Sequence, residues 1–340
     1  MKKGILTIIT FFSILIVFGQ NGLKSGNLFL LLKSSKTISI NSLEKDKIKE
    51  HKKFAITKKS IYATDQTNKV AILDTSKNII KIFDIQNSTE ITLTIPFGLK
   101  SKSILLNNDN LFIGGELEQE MLVQYHIKSG KWYSLEIPDQ LRYPGKAIDD
   151  IIINDSMLIA VDNIVTPKYI LYYLLNSTGK ISLLHFKHLK SNGAYENIHQ
   201  ARITKNYLGL ISSTFSGYSG ASFHITIYDN LELTSSFAIS SNQQDKDYHS
   251  FTDFLIINDK LVIASYKKGL GIIDINKSYF KDDKIYSFDV FNAPVSTSLI
   301  KYFDYKNAVI KKLTIIPNTE QIVITLKSQK GKIKNEVKSI

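Results

Sequence analysis

The sequence predicts an all-β chain made of repeated four-stranded antiparallel units. Three observations carry that prediction. An apolar run, a short polar turn and a second apolar run recur along the chain. No stretch beyond the first twenty residues shows a helical apolar period. The composition is that of a chain with a large core: 340 residues, 43% apolar, 22% charged, with 17 Tyr and 18 Phe, more aromatic than disordered chains are.

The elements follow in order. Lys2 and Lys3 precede the mostly apolar, uncharged run Ile5 to Phe18, and Val17 and Gly19 stand where a signal peptidase reads, before Gln20. These are the three parts of a secretory signal in order. A membrane span needs about 20 apolar residues, and Gln20, Asn21 and Gly22 cut this run short. Residues 1–19 are therefore expected to be removed, leaving a secreted or periplasmic protein with no later segment of spanning length. The absence of Cys excludes disulfides, thiolate metal sites, a cysteine nucleophile and a lipidated cysteine.

Residues 20–60 form a Lys-rich segment. Between Lys33 and Lys59 nine Lys face Glu44, Asp46 and Glu50, a balance of +6, and between Lys327 and Lys338 five Lys face Glu336, a balance of +4. Without Lys2 and Lys3 the formal charge of +12 becomes +10, so these two segments hold all of it. The only arginines are Arg142 and Arg202. Phosphate and base readout favour the guanidinium fork, so a nucleic-acid partner is not expected.

Residues 61–340 carry the repeats. Ile104–Leu106, Asn108-Asp109 and Leu111–Ile113 make one copy; Ile151–Ile153, Asn154-Asp155 and Met157–Ala160 another; Leu255–Ile257, Asn258-Asp259 and Leu261–Ala264 a third. Weaker copies surround Val70, Leu208 and Ile322. Each predicts two strands joined by a tight turn, because Asn and Asp tolerate turn conformations. A second strand pair follows in most copies, as at Phe83–Asn87 before Ile91 and at Tyr125–Ile127 before Trp132.

Six such units, starting at Val70, Leu111, Met157, Leu208, Leu261 and Ile322, lie 41 to 61 residues apart. One sheet cannot bury both faces alone, so neighbours stack, and a closed ring removes the edges. The chain resembles a β-propeller of four-stranded antiparallel blades over about residues 28–340. The expectation is six blades, with seven as the alternative, and residues 20–60 contribute ring-closing strands: Leu28–Leu32 or Thr37–Ile40 beside the strands around Ile322 and Ile333. No subfamily signature is present. There is no Gly-His with Trp-Asp pair per blade, no Ser-x-Asp-x-Gly-x-x-Trp box, one Gly-Gly pair at Gly114-Gly115 and one tryptophan, Trp132.

The resemblance implies that links between blades and between middle strands gather at one mouth of a central channel. The long links at 138–150, 187–200, 240–253 and 290–310 then make the binding surface. Aligning copies on Ile153, Ile203 and Ile257 puts Asp149, His199 and Asp253 in one slot near the axis, and the links add Arg142, Tyr143 and Tyr218. Two carboxylates and an imidazole suit a divalent cation or acid–base chemistry, but the reading preferred for them is a solvated polar lining of the channel. No cofactor is expected and no metal site is assigned. Gly217-Tyr218-Ser219 falls one glycine short of a serine-hydrolase elbow and lacks its strand-to-helix setting. His185 and His188 are three apart on a strand and do not point together.

The leading expectation is therefore an extracytoplasmic binding or interaction module with a protein or glycan partner. The alternative is a propeller enzyme of the lactonase, lyase or glycan-hydrolase type acting at the channel mouth. Ring closure would also merge Lys52, Lys53, Lys58 and Lys59 with Lys332 and Lys334 into one basic patch suited to an anionic envelope polymer.

Overall fold

The chain closes into a ring of seven sheets. A computed structural model describes residues 28–340 except 46, 117–119, 143–144, 155, 163–167, 177–180, 190–195, 205, 217–219, 229–235, 242–250, 266–268, 276–279, 281–286, 289–298 and 306–307. The signal segment 1–19 lies outside the described residues, and no helix among them is long and apolar enough to cross a membrane.

Blade 1 contains β1 (Phe29–Ser34), β2 (Thr37–Glu44) and β3 (Lys47–Ala55). Blade 2 contains β4 (Ser60–Thr64), β5 (Lys69–Asp74), β6 (Ile79–Asp84) and β7 (Thr89–Thr94). Blade 3 follows with β8 (Lys100–Asn107), β9 (Asn110–Glu116), β10 (Leu122–His126) and β11 (Lys131–Ser134). Blade 4 holds β12 (Ile148–Asn154), β13 (Met157–Asp162), β14 (Lys168–Leu175) and β15 (Ile181–Leu189). Blade 5 is β16 (Glu196–Ile203), β17 (Leu208–Ser216), β18 (Gly220–Tyr228) and β19 (Ser236–Ser241). Blade 6 is β20 (Phe251–Ile257), β21 (Lys260–Ser265), β22 (Gly269–Asp274) and, after β23 (Ser287–Phe288), β24 (Leu299–Phe303). Blade 7 ends the chain with β25 (Ala308–Ile315), β26 (Gln321–Ser328) and β27 (Ile333–Ser339).

Blades 2 to 6 each have four antiparallel strands in sequence order, and blades 1 and 7 have three. The tight hairpin turns work as expected from their residues. Asn108 and Asn258 hold φ of 51° and 52°, the left-handed region that Asn enters at low cost.

The core lies between blades. Among the described residues seven apolar clusters fill the seven interfaces. Examples are Leu73, Ile82, Leu111 and Val123 between blades 2 and 3, and Ile263, Phe254, Ile227 and Phe237 between blades 5 and 6. Each buried Ile or Leu there is worth roughly 1.5–3 kcal/mol. Close approach explains Gly114: a Cβ there would stand 2.5 Å from both Ile148 Cγ2 and Ser103 Oγ. Trp132 lies against the cluster shared by blades 2 and 3, its ring 4.9 Å from that of Tyr125.

Seven blades correct the expectation of six. The missed unit is residues 29–55, a complete three-stranded sheet. Its hairpin turns at Ser35-Lys36 without the Asn-Asp pair. Its outermost strand, β3, reads KIKEHKKFA and is largely exposed, because an outer blade edge faces water and takes lysine as protection against edge pairing.

Blade 1 also runs backwards. Leu28 N donates to Gln66 O, in the β4–β5 turn, while Ile56 N donates to Lys36 O beside the link into β4. β1 therefore runs antiparallel to β4. An odd number of strands then returns the chain to the correct end for β4. The ring closes by packing rather than by a shared sheet: Phe29 and Leu31 meet Ile316 and Val323, and Asn335 Nδ2 donates to Leu32 O at 3.3 Å. Phe29 and Leu31 of β1 thus pack face to face against the last blade in a separate sheet, and β1 does not complete that blade by main-chain pairing.

A second correction concerns 290–310. The link between blades 6 and 7 is only residues 304–307, and the long segment is an excursion between β22 and β24 within blade 6. From it β23 adds in parallel to β19 of blade 5, and Phe280 stacks on Tyr207 and meets Phe237 edge-on, with centroids 5.9 and 5.1 Å away.

Candidate functional site

The innermost strands of blades 3 to 7 share a device. Each has a β-bulge near its start, leaving Lys102, Asp149, His199, Thr252 and Lys311 as the extra residue. A bulge re-aims side chains, and a one-residue offset exchanges faces. The slot assigned from Ile153, Ile203 and Ile257 is therefore wrong by one in blade 6. Asp149 and His199 align with Thr252, whereas Asp253 aligns with Asp150 and Gln200.

The residue after the bulge faces the next blade. Ser103 Oγ donates to Ile148 O at 3.1 Å. Asp150 accepts from Ile151 N at 2.9 Å on Oδ1 and from Ala201 N at 2.7 Å on Oδ2. Asp253 repeats this with Phe254 N at 2.8 Å and Leu313 N at 2.7 Å. These carboxylates latch each innermost strand to the next. Sequence reasoning missed Asp150, although Asp149-Asp150 against a lone Asp253 was the visible sign of an ambiguous register.

The predicted trio separates accordingly. Asp253 is buried and also accepts from Arg202 Nη2 at 3.1 Å. Asp149 is half-buried and lies 3.5 Å from Lys102 Nζ. His199 is exposed, with Nε2 2.7 Å from Ser213 Oγ and the Phe223 ring 6.4 Å away. A His–Ser contact is the minimum of an activated nucleophile, which also needs an orienting group and oxyanion donors. Among the described residues no three His, Asp or Glu side chains are grouped to hold a metal ion. Tyr143 and Tyr218 lie outside the described residues, as does the near-elbow at 217–219.

Links at the mouth are tied down where they are described. Arg142 Nη2 donates to Glu120 Oε2 at 2.8 Å, and Tyr173 Oη donates to Glu136 O at 2.8 Å. Beneath this link Lys146 and Asp162 form a buried ion pair, Nζ to Oδ2 at 2.6 Å. His185 stacks on Tyr172 and His188 meets Tyr169 edge-on, at 4.6 and 5.6 Å.

Burial pushes the carboxyls of Asp150 and Asp162 up to about 6, against the pull of Ala201 N–H and Lys146 respectively. Raised folded-state values mean that folded chains keep protons which unfolded chains have shed. Their contribution is full below about pH 4 and is lost as pH rises through 6. His51, held low by burial, works oppositely but is only partly covered. The melting temperature is therefore expected to be higher at pH 5 than at pH 7.5, and the reverse order would refute the assignment.

The lysines of the proposed patch stand on adjacent blades: Lys52 and Lys53 on β3, Lys58 and Lys59 in the link to β4, Lys332 just before β27 and Lys334 within it. All six are exposed. Glu50 ties Lys33 and Lys53 at 3.0 and 3.2 Å, Glu336 ties Lys334 at 2.7 Å, and Lys52 Nζ stands over the Phe54 and Phe83 rings at 5.6 and 5.5 Å, whereas Lys58, Lys59 and Lys332 take part in none of these contacts. Replacing Lys52, Lys53, Lys58 and Lys59 by Gln is expected to lower the salt needed to elute the protein from heparin, since screening acts over about 8 Å at physiological strength. Unchanged elution would show that the patch plays no part.

Seven stacked blades around one axis define the fold as a β-propeller, and solved structures agree. The β-propeller domain of Myceliophteria thermophila Cps50 (Swd1) is 12% identical, with 93% of this chain and 94% of that one covered and a TM-score of 0.58. The WD40 repeats of RRP9 give 9% identity, coverages of 88% and 84%, and a TM-score of 0.55. The computationally designed protein Ika8 gives 10%, 94% and 98%, and 0.53. No family model matches the sequence, and comparison with curated proteins gives no match either.

Proposed function

We propose that the mature chain works outside the cytoplasm as a binding module for a protein or glycan, recognised by the links at the mouth where the innermost strands begin. One observation carries this reading: Asp150 and Asp253 spend both carboxylate oxygens on main-chain N–H groups of their own and the following blade. The axial acids thus serve the ring, and recognition falls to the links 135–147, 190–195 and 242–250. A rigid scaffold displaying long links at one end and tight turns at the other suits selective binding. Propellers host many functions, so the fold by itself names no ligand.

The leader Lys2 to Gly19 supports export. The test is expression of the full chain in a bacterium with a photo-crosslinking residue at 143 or 218, and at 258 on the opposite face as control. The expected result is a mature amino terminus at Gln20, an extracytoplasmic location and adducts from 143 or 218 only. Adducts from both faces alike, or none, would overturn the mouth as binding surface. Retention of residues 1–19 in the cytoplasm would overturn the location. Ester hydrolysis that Ser213→Ala abolishes would instead favour the enzyme reading, through the His199–Ser213 contact.

A further inference from the structure

We infer that the ring opens at one joint, the seam between blades 7 and 1, where blade 1 parts from blade 7 and stays on blade 2. The inference stands on how the ring is closed and does not depend on what the links at the mouth recognise.

Connectivity comes first. Six of the seven interfaces are crossed by the chain as it passes from one blade to the next, whereas the seam joins the first blade to the last. The strands on its two sides belong to separate sheets, so opening it breaks no ladder. Blade 1 is held more firmly on its other side. Leu28 N donates to Gln66 O in the β4–β5 turn, and Leu28, Leu30, Ile38, Ile40 and Phe54 are buried together with Val70 and Ile72 of blade 2.

Packing at the seam is thin. Its buried apolar residues are Phe29, Leu31, Ile316 and Val323, the smallest of the seven clusters among the described residues. Hydrophobic stabilisation follows the apolar area removed from water, so this interface contributes least. The polar residues beside that cluster add little across the seam. Asn41 and Ser39 are the cross-strand partners of Phe29 and Leu31 and share their face. Both are fully buried, yet they satisfy one another. Ser39 Oγ donates to Asn41 Oδ1 at 3.2 Å, and Asn41 Nδ2 donates to Ser39 O and Ser39 Oγ, each at 2.9 Å. Thr325 Oγ1 likewise donates to Asn335 Oδ1 at 2.7 Å within blade 7. The bond from this set that crosses the seam is Asn335 Nδ2 to Leu32 O, at 3.3 Å. Groups already paired within their own blade lose no partner when the blades separate. Blade 7 also lacks the carboxylate latch: where blades 4 and 6 place Asp150 and Asp253, it has Lys312, whose Nζ stands 4.8 Å from the Tyr62 ring centroid of blade 2.

Charge acts in the same direction. The segments 33–59 and 327–338, which carry +6 and +4, lie on blade 1 with its link and on blade 7. Like charge on both sides of the thinnest interface favours separation, and salt screens it over about 8 Å at physiological strength.

The chain has no cysteine, so a single introduced thiol reports opening at its own position. Val323 lies at the seam and Val123 between blades 2 and 3, and both are 0% exposed. The test is thiol labelling of full-length Val323→Cys and Val123→Cys under native conditions, with circular dichroism to check folding. A buried thiol reacts through local opening, so labelling about tenfold or more faster at 323 than at 123 is expected. Equal rates, or faster labelling at 123, overturn the joint. Asn335→Ala added to each should quicken labelling at 323 alone, and high salt should slow it at 323 alone. A response shared by both positions, or by neither, overturns the joint. Hydroxyl-radical footprinting of the parent protein needs no variant. Phe29 and Phe112 are 2% and 0% exposed, and modification of Phe29 several times faster than of Phe112 is expected. Equal protection of the two rings overturns the joint.

Discussion

Replacing Lys146 by Met is expected to cost about 3–5 kcal/mol of folding free energy, the usual cost of breaking one side of a buried ion pair. Lys146 is fully buried and Asp162 is 1% exposed, with Nζ and Oδ2 2.6 Å apart. Asp162 Oδ1 is itself buried with no hydrogen-bond partner among the described residues, so the stranded carboxylate would keep only the Ala147 main-chain N–H that helps hold it. The measurement is the urea midpoint at pH 7.5, multiplied by the slope of the transition. A double replacement, Lys146→Met with Asp162→Leu, removes both charges and should recover most of the loss, because apolar residues of similar volume fill such sites without desolvation cost. A single replacement that costs less than about 1 kcal/mol would show that solvent reaches the pair. At pH 5 the single variant should lose less than at pH 7.5, since Asp162, raised to about 6 in the parent, can then become neutral.

That pair shows where sequence and structure part. Lys146 follows Pro144 and Gly145 in what reads as a polar surface link. Its burial depends on the link being folded back, through the Tyr173 bond to Glu136 O and the bridge between Glu116 and Ala147, and those contacts are 31 residues or more apart. The hairpins were legible because their signal is local: apolar runs fill the interfaces on both sides of each blade, and Asn108 and Asn258 make the turns. All six second strands named from sequence are present as β5, β9, β13, β17, β21 and β26. The seventh, β2, was hidden because its hairpin turns at Ser35-Lys36 without the Asn-Asp pair that marks the other copies, and because the strand after it, β3, takes residues suited to water and edge protection. The bulges were hidden for another reason. An extra residue leaves the apolar pattern intact and shows only in the register of pairing, so three residues equally spaced from an Ile do not share a slot.

The bulge-linked latch leads to the other large expected effect. Asp253→Ala should destabilise the ring by about 3–5 kcal/mol, more than any other latch. The loss leaves Phe254 N and Leu313 N, both buried, without acceptors, and Arg202 without its carboxylate; each stranded donor costs about 1–3 kcal/mol. Asp150→Ala strands Ile151 N and Ala201 N but no partner cation bonded to it, so about 2–4 kcal/mol is expected from the same accounting. Ser103→Ala removes one neutral bond to Ile148 O and should cost about 1 kcal/mol. Asp253→Asn is not conservative: one oxygen still accepts, but its amide NH₂ must face either a main-chain N–H or the guanidinium. It should fall between Ser103→Ala and Asp253→Ala. Urea midpoints for the four variants test the order directly. Equal losses for Asp253→Ala and Ser103→Ala would mean that blades 6 and 7 are held by their apolar faces alone, with the carboxylate a bystander. The expected order has a local signature as well. Amide exchange at Leu313 should quicken in Asp253→Ala while that at Ala201 stays slow, because each latch protects one N–H of the following blade and local opening precedes loss of the ring.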